Sequence, residues 1–342
     1  MRRSTVLGSL NSSLHDALRE DERVLVLGED LLDPYGGAFK VTRGLSTAFP
    51  DRVLTTPISE AGFTGVAVGM AMRGLRPVVE IMFGDFLTLA ADQLLNHAAK
   101  YAWMYASKVS VPLVVRAPMG GRRGYGPTHS QSIEKHFIGM PGLEVVAAHP
   151  FCEPGALLRS CIDDDRPTVF IENKLMYARA LRLADGGRLG DLYIKQTGGD
   201  RPAHLLSYDP FVHADVTIAA YGGMAEMAVS AAERLLLDEE IVADVVLATD
   251  LSRAPIELLG DSLSRSGRLL TVEEGGATCG WGAELISQVS EHCFALLQAA
   301  PVRVCAREIP IANSRPLEEA TLPQVDDIVG AALALTLPSE RS

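Results

Sequence analysis

Cysteine is scarce in this chain: Cys152, Cys161, Cys279, Cys293 and Cys305 are scattered over 342 residues, with no CxxC pair and no Cys–His spacing of metal-ligand type. An odd, scattered set excludes a disulfide framework and reads as reduced, mostly buried thiols of a cytosolic protein. Long apolar runs are lacking as well. No stretch approaches the roughly 20 residues that a membrane-spanning helix needs. The opening MRRSTVLGSLNSSLHDALRE has two arginines but no apolar segment of signal-peptide length, and reads as a short strand entering an amphipathic helix. Basic surplus is missing too: 31 Lys and Arg face 43 Asp and Glu, a formal net charge of -12. No basic stripe offsets that excess, which argues against a nucleic-acid partner. Internal repeats and low-complexity tracts are absent from the sequence.

What is present is apolar content, 47% of the chain, enough for a sizeable core, in a length that suits two domains. Apolar runs without alternation occur at 24–28 (VLVLG), 78–82, 111–116, 145–148 and 168–172, separated by helical stretches such as 62–73 and 87–105. Buried strands alternating with helices predict an α/β domain with a mostly parallel sheet over residues 1–185. A polar, Gly- and Pro-containing stretch breaks the pattern and reads as a linker, 186–213, with 192–195 as one edge strand. The pattern then restarts: strands at 216–220, 243–247 and 268–273, helices at 224–237, 255–263, 281–293 and 325–335. This predicts a second, smaller α/β domain over 214–342.

Two segments bear chemistry. In Thr56-Pro57-Ile58-Ser59-Glu60-Ala61-Gly62-Phe63-Thr64-Gly65, Pro57 favours extended backbone before it and Ser59 is placed to cap a helix whose first turn holds Glu60. Glu60 is then either a carboxylate stabilised by the helix dipole or a functional group. Gly62, Gly65 and Gly69 make one face of that helix very small and predict close packing against another helix, across a subunit boundary. In Gly126-Pro127-Thr128-His129-Ser130-Gln131-Ser132, His129 follows a Gly/Arg-rich loop that leaves a parallel strand, where open α/β sheets place ligand sites. A histidine flanked by hydroxyl and amide side chains can have its tautomer fixed by them for proton transfer; it can equally brace a loop.

In order and spacing, VLVLGED with YGGAFKVTRGL, TPISEAGFTGVAVGMAMRGLRPVVEIMFGDF, THSQS with MPGLEVVAAHP, RPTVFIENKLMY, VTIAAYGGM, LLTVEEGGATCGWGAEL and LPQVDDIV resemble the beta subunits of pyruvate and branched-chain 2-oxoacid dehydrogenase E1, members of the transketolase-like superfamily. The resemblance runs over nearly the whole chain. It implies a pyrimidine-binding-type parallel-sheet domain followed by a transketolase C-terminal-type α/β domain. Glu60 matches the glutamate that hydrogen-bonds the aminopyrimidine of thiamine diphosphate and favours the imino tautomer. Phe86 matches the ring that packs on the pyrimidine, with Ile58 beside it; core packing is the alternative reading of both. His129 matches the active-site histidine that steers protons and the acyl acceptor.

The single-chain relatives bind the cofactor diphosphate through Mg²⁺ with a GDG motif and a later Asn. Here Gly84-Asp85-Phe86 is the only near match, and Asn96 follows too closely. The resemblance therefore implies no metal on this chain: Mg²⁺ and the diphosphate would sit on an alpha-type partner in an α2β2 heterotetramer. It also raises a monovalent-cation (K⁺) site at Leu113, Cys161, Asp164 and Arg166, where the arginine departs from the pattern.

The implied activity is that of an oxidoreductase subunit, decarboxylating a 2-oxoacid and transferring the acyl unit to a lipoyl E2 carrier in the cytoplasm. An alternative is transfer of a two-carbon unit from a ketose phosphate to the thiol of an acyl carrier protein. The basic loop Gly121-Arg122-Arg123-Gly124 favours it, since two arginines suit a phosphate. A non-catalytic scaffold is the third reading, and retention of Glu60 and His129 stands against it.

Overall fold

Residues 4–211 and 213–336 are described by a computed structural model. The chain divides into two compact units, Met1–Gly120 with Thr128–Leu181, and Gly121–Pro127 with Arg182–Ser342. The first unit is built on six strands: β1 (Val24–Gly28), β2 (Val53–Thr55), β3 (Arg76–Glu80), β4 (Val114–Met119), β5 (Glu144–Ala147) and β6 (Thr168–Asn173). They are parallel throughout and ordered β2-β1-β3-β4-β6-β5. Every residue of β4, β5 and β6 is buried, as the unalternating apolar runs require of strands covered on both faces.

Helices Val6–Glu20 and Pro154–Asp163 pack together on this sheet, and Val6, Leu10, Leu14, Leu157, Leu158 and Ile162 join its core. The strand expected ahead of the first helix is reduced to one bridge between Thr5 and Ala180, because the segment turns helical at Val6.

Helix Glu60–Met72 begins at the expected point, but Ser59 makes no side-chain cap bond at its N-terminus. Its small face is partly used inside the chain. A Cβ at Gly65 would lie 2.9 Å from Gln93 Oε1, on a wide π turn, Gln93–Ala98, that leads into helix Ala99–Met104. Gly69 meets nothing within 4 Å.

One polar group interrupts the apolar interior of the sheet. Arg116 of β4 is fully buried and binds Glu172 of β6 through Nε and Nη2 at 2.7 and 2.8 Å, and Glu80 of β3 through Nη1 at 2.6 Å. Burial alone would pull the guanidinium pKa down, but Glu172 and Glu80 hold it above its ordinary value. Tyr177 completes the group by donating its hydroxyl to Glu172 at 2.6 Å.

The second unit carries seven strands: β7 (Arg188–Leu189), β8 (Leu192–Gln196), β9 (His204–Ser207), β10 (Val216–Tyr221), β11 (Ala243–Ala248), β12 (Leu269–Gly276) and β13 (Val302–Ala306). Their order is β13-β12-β10-β11-β9-β8-β7, with the first four parallel and the last three antiparallel. The segment read as a linker is thus part of this sheet. Its backbone groups pair with β11 through β9, so its polar composition reflects an edge rather than a tether. Helices Met224–Glu239, Ile256–Ser266, Trp281–His292 and Val325–Thr336 fall where the periodicity places them. Among the described residues no helix is long and apolar enough to cross a membrane, and all five cysteines are free thiols.

Candidate active site

In a parallel sheet every strand exits on the same edge, so residues just beyond neighbouring strands converge there. β1 ends at Gly28 and is followed by Glu29; β2 ends at Thr55 and is followed by Ile58 and Glu60. Thr56 N–H donates to Gly28 C=O at 2.9 Å, tying these two exits together. β3 ends at Glu80 and leads to Phe83 and the tight turn Gly84–Thr88, which carries Asp85 and Phe86. β4 ends at Met119, and the chain returns to the first unit at Thr128 and His129. Strands β2, β1, β3 and β4 are consecutive in the sheet, so the four exits span about 14 Å at a spacing of about 4.8 Å per strand.

Gly84 makes the approach between two of these exits possible. A Cβ there would lie 2.2 Å from Met119 Cγ, inside any tolerable contact, so only glycine lets the β3 exit press on the end of β4. His129 is consequently enclosed by two rings. Phe83 and Phe86 meet its imidazole edge-to-face, with centroids 4.8 and 5.2 Å away and interplanar angles of 79° and 81°. Nδ1 shares a 2.9 Å hydrogen bond with Thr128 Oγ1, which leaves Nε2 as the ring atom able to engage a ligand. Beneath it, Gln131 donates to Asp85 Oδ1 from its backbone at 3.2 Å and its side chain at 2.8 Å, while Asp85 Oδ2 is buried without a partner.

Glu60 is only 6% exposed, yet no protein donor among the described residues reaches its carboxyl. Glu29 is also buried, and its Oε1 lacks a hydrogen bond. Burial first, then the Glu60 and Asp30 carboxylates, hold the Glu29 pKa above the usual value. A buried carboxyl oxygen without a donor is costly in an apolar setting, so the Glu29 oxygen beside Glu60 suits a site completed by a polar ligand. Ile58 stands at the other extreme, 84% exposed.

Of the residues singled out in the sequence, His129 and Phe86 are thus brought into contact, and Glu60 and Ile58 share the β2 exit. Arg122 and Arg123 belong to the second unit. Arg122 is engaged there: its backbone N–H donates to Glu318 Oε1 at 2.7 Å, and its guanidinium binds Pro323 C=O, Met227 Sδ at 3.4 Å and Glu274 Oε1 at 3.8 Å. Gly121 and Gly124 N–H also donate to Glu274 and Glu318, at 2.6 and 3.1 Å. Arg123 is exposed, with its guanidinium 5.7 Å from the centre of the Tyr125 ring.

Of the four positions raised for a monovalent cation, three are engaged within the chain. Leu113 C=O accepts from Thr168 N–H at 2.8 Å, and Asp164 C=O accepts from the Arg76 guanidinium at 3.0 Å. Arg166 pairs with the Asp164 carboxylate at 2.7 Å, so two fixed positive charges already stand at this turn. Among the described residues no three His, Cys, Asp or Glu side chains cluster as a metal ion would need.

Sequence reasoning passed over Phe83, Glu29 and Lys174. Lys174 is 1% exposed and sits one residue past β6, with its ammonium 5.1 Å from the centre of the Phe83 ring. The only available signal was that each of the three follows a buried parallel strand directly or within three residues.

Comparison with known proteins follows the same lines. The family model for the transketolase pyrimidine-binding domain matches residues 5–179, and that for the transketolase C-terminal domain matches residues 212–328. The chain is similar to the pyruvate dehydrogenase E1 component subunit beta, mitochondrial, of Dictyostelium discoideum, with 35% identity covering 97% of this chain and 91% of that protein. It is 37% identical to the mitochondrial subunit beta-2 of Oryza sativa subsp. japonica, covering 96% and 85%, and 36% identical to the mitochondrial subunit beta of Rattus norvegicus, covering 96% and 89%. A solved structure described as a split gene transketolase, inactive beta4 tetramer, superimposes with a TM-score of 0.71 over 96% of this chain and 98% of that one. At 22% identity that likeness concerns the fold alone.

Proposed function

Since the chain belongs to the family of pyruvate dehydrogenase E1 beta subunits and carries both transketolase domains in order, we infer that it is the beta-type subunit of a thiamine-diphosphate-dependent 2-oxoacid dehydrogenase E1 enzyme. The observation that carries this reading at residue level is Glu60: a carboxyl on a residue only 6% exposed, at the exit of β2 and beside Glu29, whose Oε1 is buried without a hydrogen bond. A ring nitrogen of the cofactor is a partner of the right polarity for it. Thiamine diphosphate, when bound, supplies the carbanion chemistry that cleaves a 2-oxoacid beside its carboxylate.

The chain's own groups then divide the work. Glu60 exchanges a proton or a hydrogen bond with the pyrimidine and sets its tautomer. The Phe86 ring and the exposed Ile58 provide apolar surface against that ring and exclude water from it. His129, held through Nδ1 by Thr128, offers Nε2 to move a proton at the reacting acyl group. No diphosphate or Mg²⁺ motif stands on this chain, which favours an alpha-type partner that holds both, an α2β2 assembly, and a lipoyl E2 as acyl acceptor. The five free thiols suit a reducing compartment. The ketose-phosphate alternative leaned in part on Arg122 and Arg123, the other part being the unusual segments 250–255 and 310–314; the Arg122 guanidinium is committed to Pro323, Met227 and Glu274, which weakens the first of these supports.

The test is Glu60→Gln in the assembly with an alpha-type partner. The amide lacks the exchangeable carboxyl proton, so deuterium exchange at the thiazolium C2 and turnover of pyruvate should fall about 10²-fold or more, with assembly size unchanged. C2 exchange at the wild-type rate would reduce Glu60 to a helix-start residue and remove the main support for this reading.

A further inference from the structure

His129 stands at the end of an excursion. The chain leaves β4 at Met119, passes through residues 121–127, which belong to the second unit, and re-enters the first unit at Thr128. Such a segment places a histidine accurately only if its two stems are fixed. Both stems converge on one residue. The backbone N–H of Lys174 donates to Met119 C=O at 3.0 Å, and its ammonium donates to His129 C=O at 2.5 Å. Gly120 N–H closes the same stems against Gln131 C=O at 3.4 Å. The Lys174 ammonium also faces Phe83, the ring that meets the His129 imidazole at 4.8 Å. Lysine is among the residues least often buried, and this one is 1% exposed with a charge-assisted bond to a backbone carbonyl.

We propose that Lys174 is the positioning residue of the active-site histidine: it staples the two stems of the β4–His129 excursion and fixes where Nε2 points. The inference rests on the reading of His129 as an active-site group. Loss of the staple frees the His129 carbonyl and loosens the Phe83 contact at once, so the imidazole samples positions away from the acyl group. Displacement of about 1 Å at such a group is enough to lower a rate by about 10²-fold. Lys174 itself touches no substrate in this scheme, so substrate affinity is not its concern.

The test is a double-variant cycle in the assembly with the alpha-type partner, assayed with pyruvate and with free lipoamide as acceptor. Lys174→Met should lower kcat about tenfold or more and leave KM for pyruvate within about twofold, and His129→Ala should lower kcat at least as much. In the His129→Ala background, Lys174→Met should cost less than about twofold further, because residues acting as a unit are not additive. If Lys174→Met does not assemble, Lys174→Gln, which keeps a donor within reach, is carried through the same cycle, with a smaller loss expected than for methionine. Wild-type kcat in the Lys174 variant beside an impaired His129→Ala enzyme would overturn the positioning role and leave the functional reading intact. Losses that multiply in the double variant would equally overturn it, since they would mean that Lys174 acts apart from His129. Full activity of His129→Ala would overturn the reading of His129 and the Lys174 role together.

Discussion

Replacing Arg116 with methionine tests how far the first unit depends on its buried ion group. The side chain has no exposure, and its three short hydrogen bonds reach two carboxylates that are themselves almost fully buried. Methionine fills much of the same volume, so the main change is electrostatic: Glu80 and Glu172 lose their shared counter-charge. Among the described residues, Tyr177 then remains as the donor to Glu172. Removing one partner of a buried ion pair costs about 3–5 kcal/mol, and here one removal strands two charges, so a loss of about 4 kcal/mol or more is expected at about pH 8.

The pH dependence has a definite sign. Burial already pushes the Glu80 pKa up while Arg116 pulls it down, so without Arg116 it rises further. A carboxylate whose folded pKa exceeds its unfolded value destabilises the fold above the unfolded pKa, and the penalty fades as pH falls through the folded value. Urea unfolding followed by circular dichroism at about pH 8 and about pH 5 measures both quantities. The gap between variant and wild type should narrow on acidification, and adding Glu80→Gln and Glu172→Gln to Arg116→Met should recover much of it. A gap below about 1 kcal/mol at the higher pH, or one indifferent to pH, would refute the assignment of this group as a charged triad.

His204 supplies a second pH test, of opposite sign. Burial pushes its pKa down to about 4 from 6.5, so below pH 6.5 the unfolded chain takes up a proton that the folded chain refuses. Between about pH 7.5 and about pH 5 the second unit should lose about 2 kcal/mol from this residue alone, a slope that His204→Gln should remove in urea titrations. Packing gives another test. Gly65→Leu would drive its side chain into Gln93 and should destabilise the isolated chain by about 1–3 kcal/mol, whereas Gly69→Leu, with open space around it, should leave the melting temperature nearly unchanged. Equal effects of the two leucines would mean that the face of helix Glu60–Met72 is not divided in this way.

The parallel strands of the first unit were legible because burial on both faces leaves no alternation to confuse, as at 24–28 and 168–172. β2 escaped because three residues between polar flanks carry no periodicity. β9 escaped for a different reason: His204–Ser207 is buried by its neighbours β8 and β11 rather than by its own apolar character. Glu60 and His129 were singled out in the sequence because each stands in a motif whose order and spacing resemble the family, whereas local context alone left each open to a structural reading. The commitments of Arg122 were not legible, since Glu274 and Glu318 lie more than 150 residues away along the chain. Lys174 was hidden by its type, because a lysine in a motif is read as solvated until its surroundings are seen.

The sheet order has a consequence for how the chain comes off the ribosome. β6 lies between β4 and β5, although it is made after both. Until it inserts, β4 has an open edge and no residue occupies the place of Lys174. His129 is synthesised 45 residues ahead of the lysine that holds it, an interval of about 2–9 s at about 5–20 residues per second. Parallel strands so far apart in sequence also pair slowly once both are available. A nascent first unit therefore passes through a stage in which the early strands are in place but the backbone at His129 is not yet held, and this edge of the sheet is completed only by the last strand.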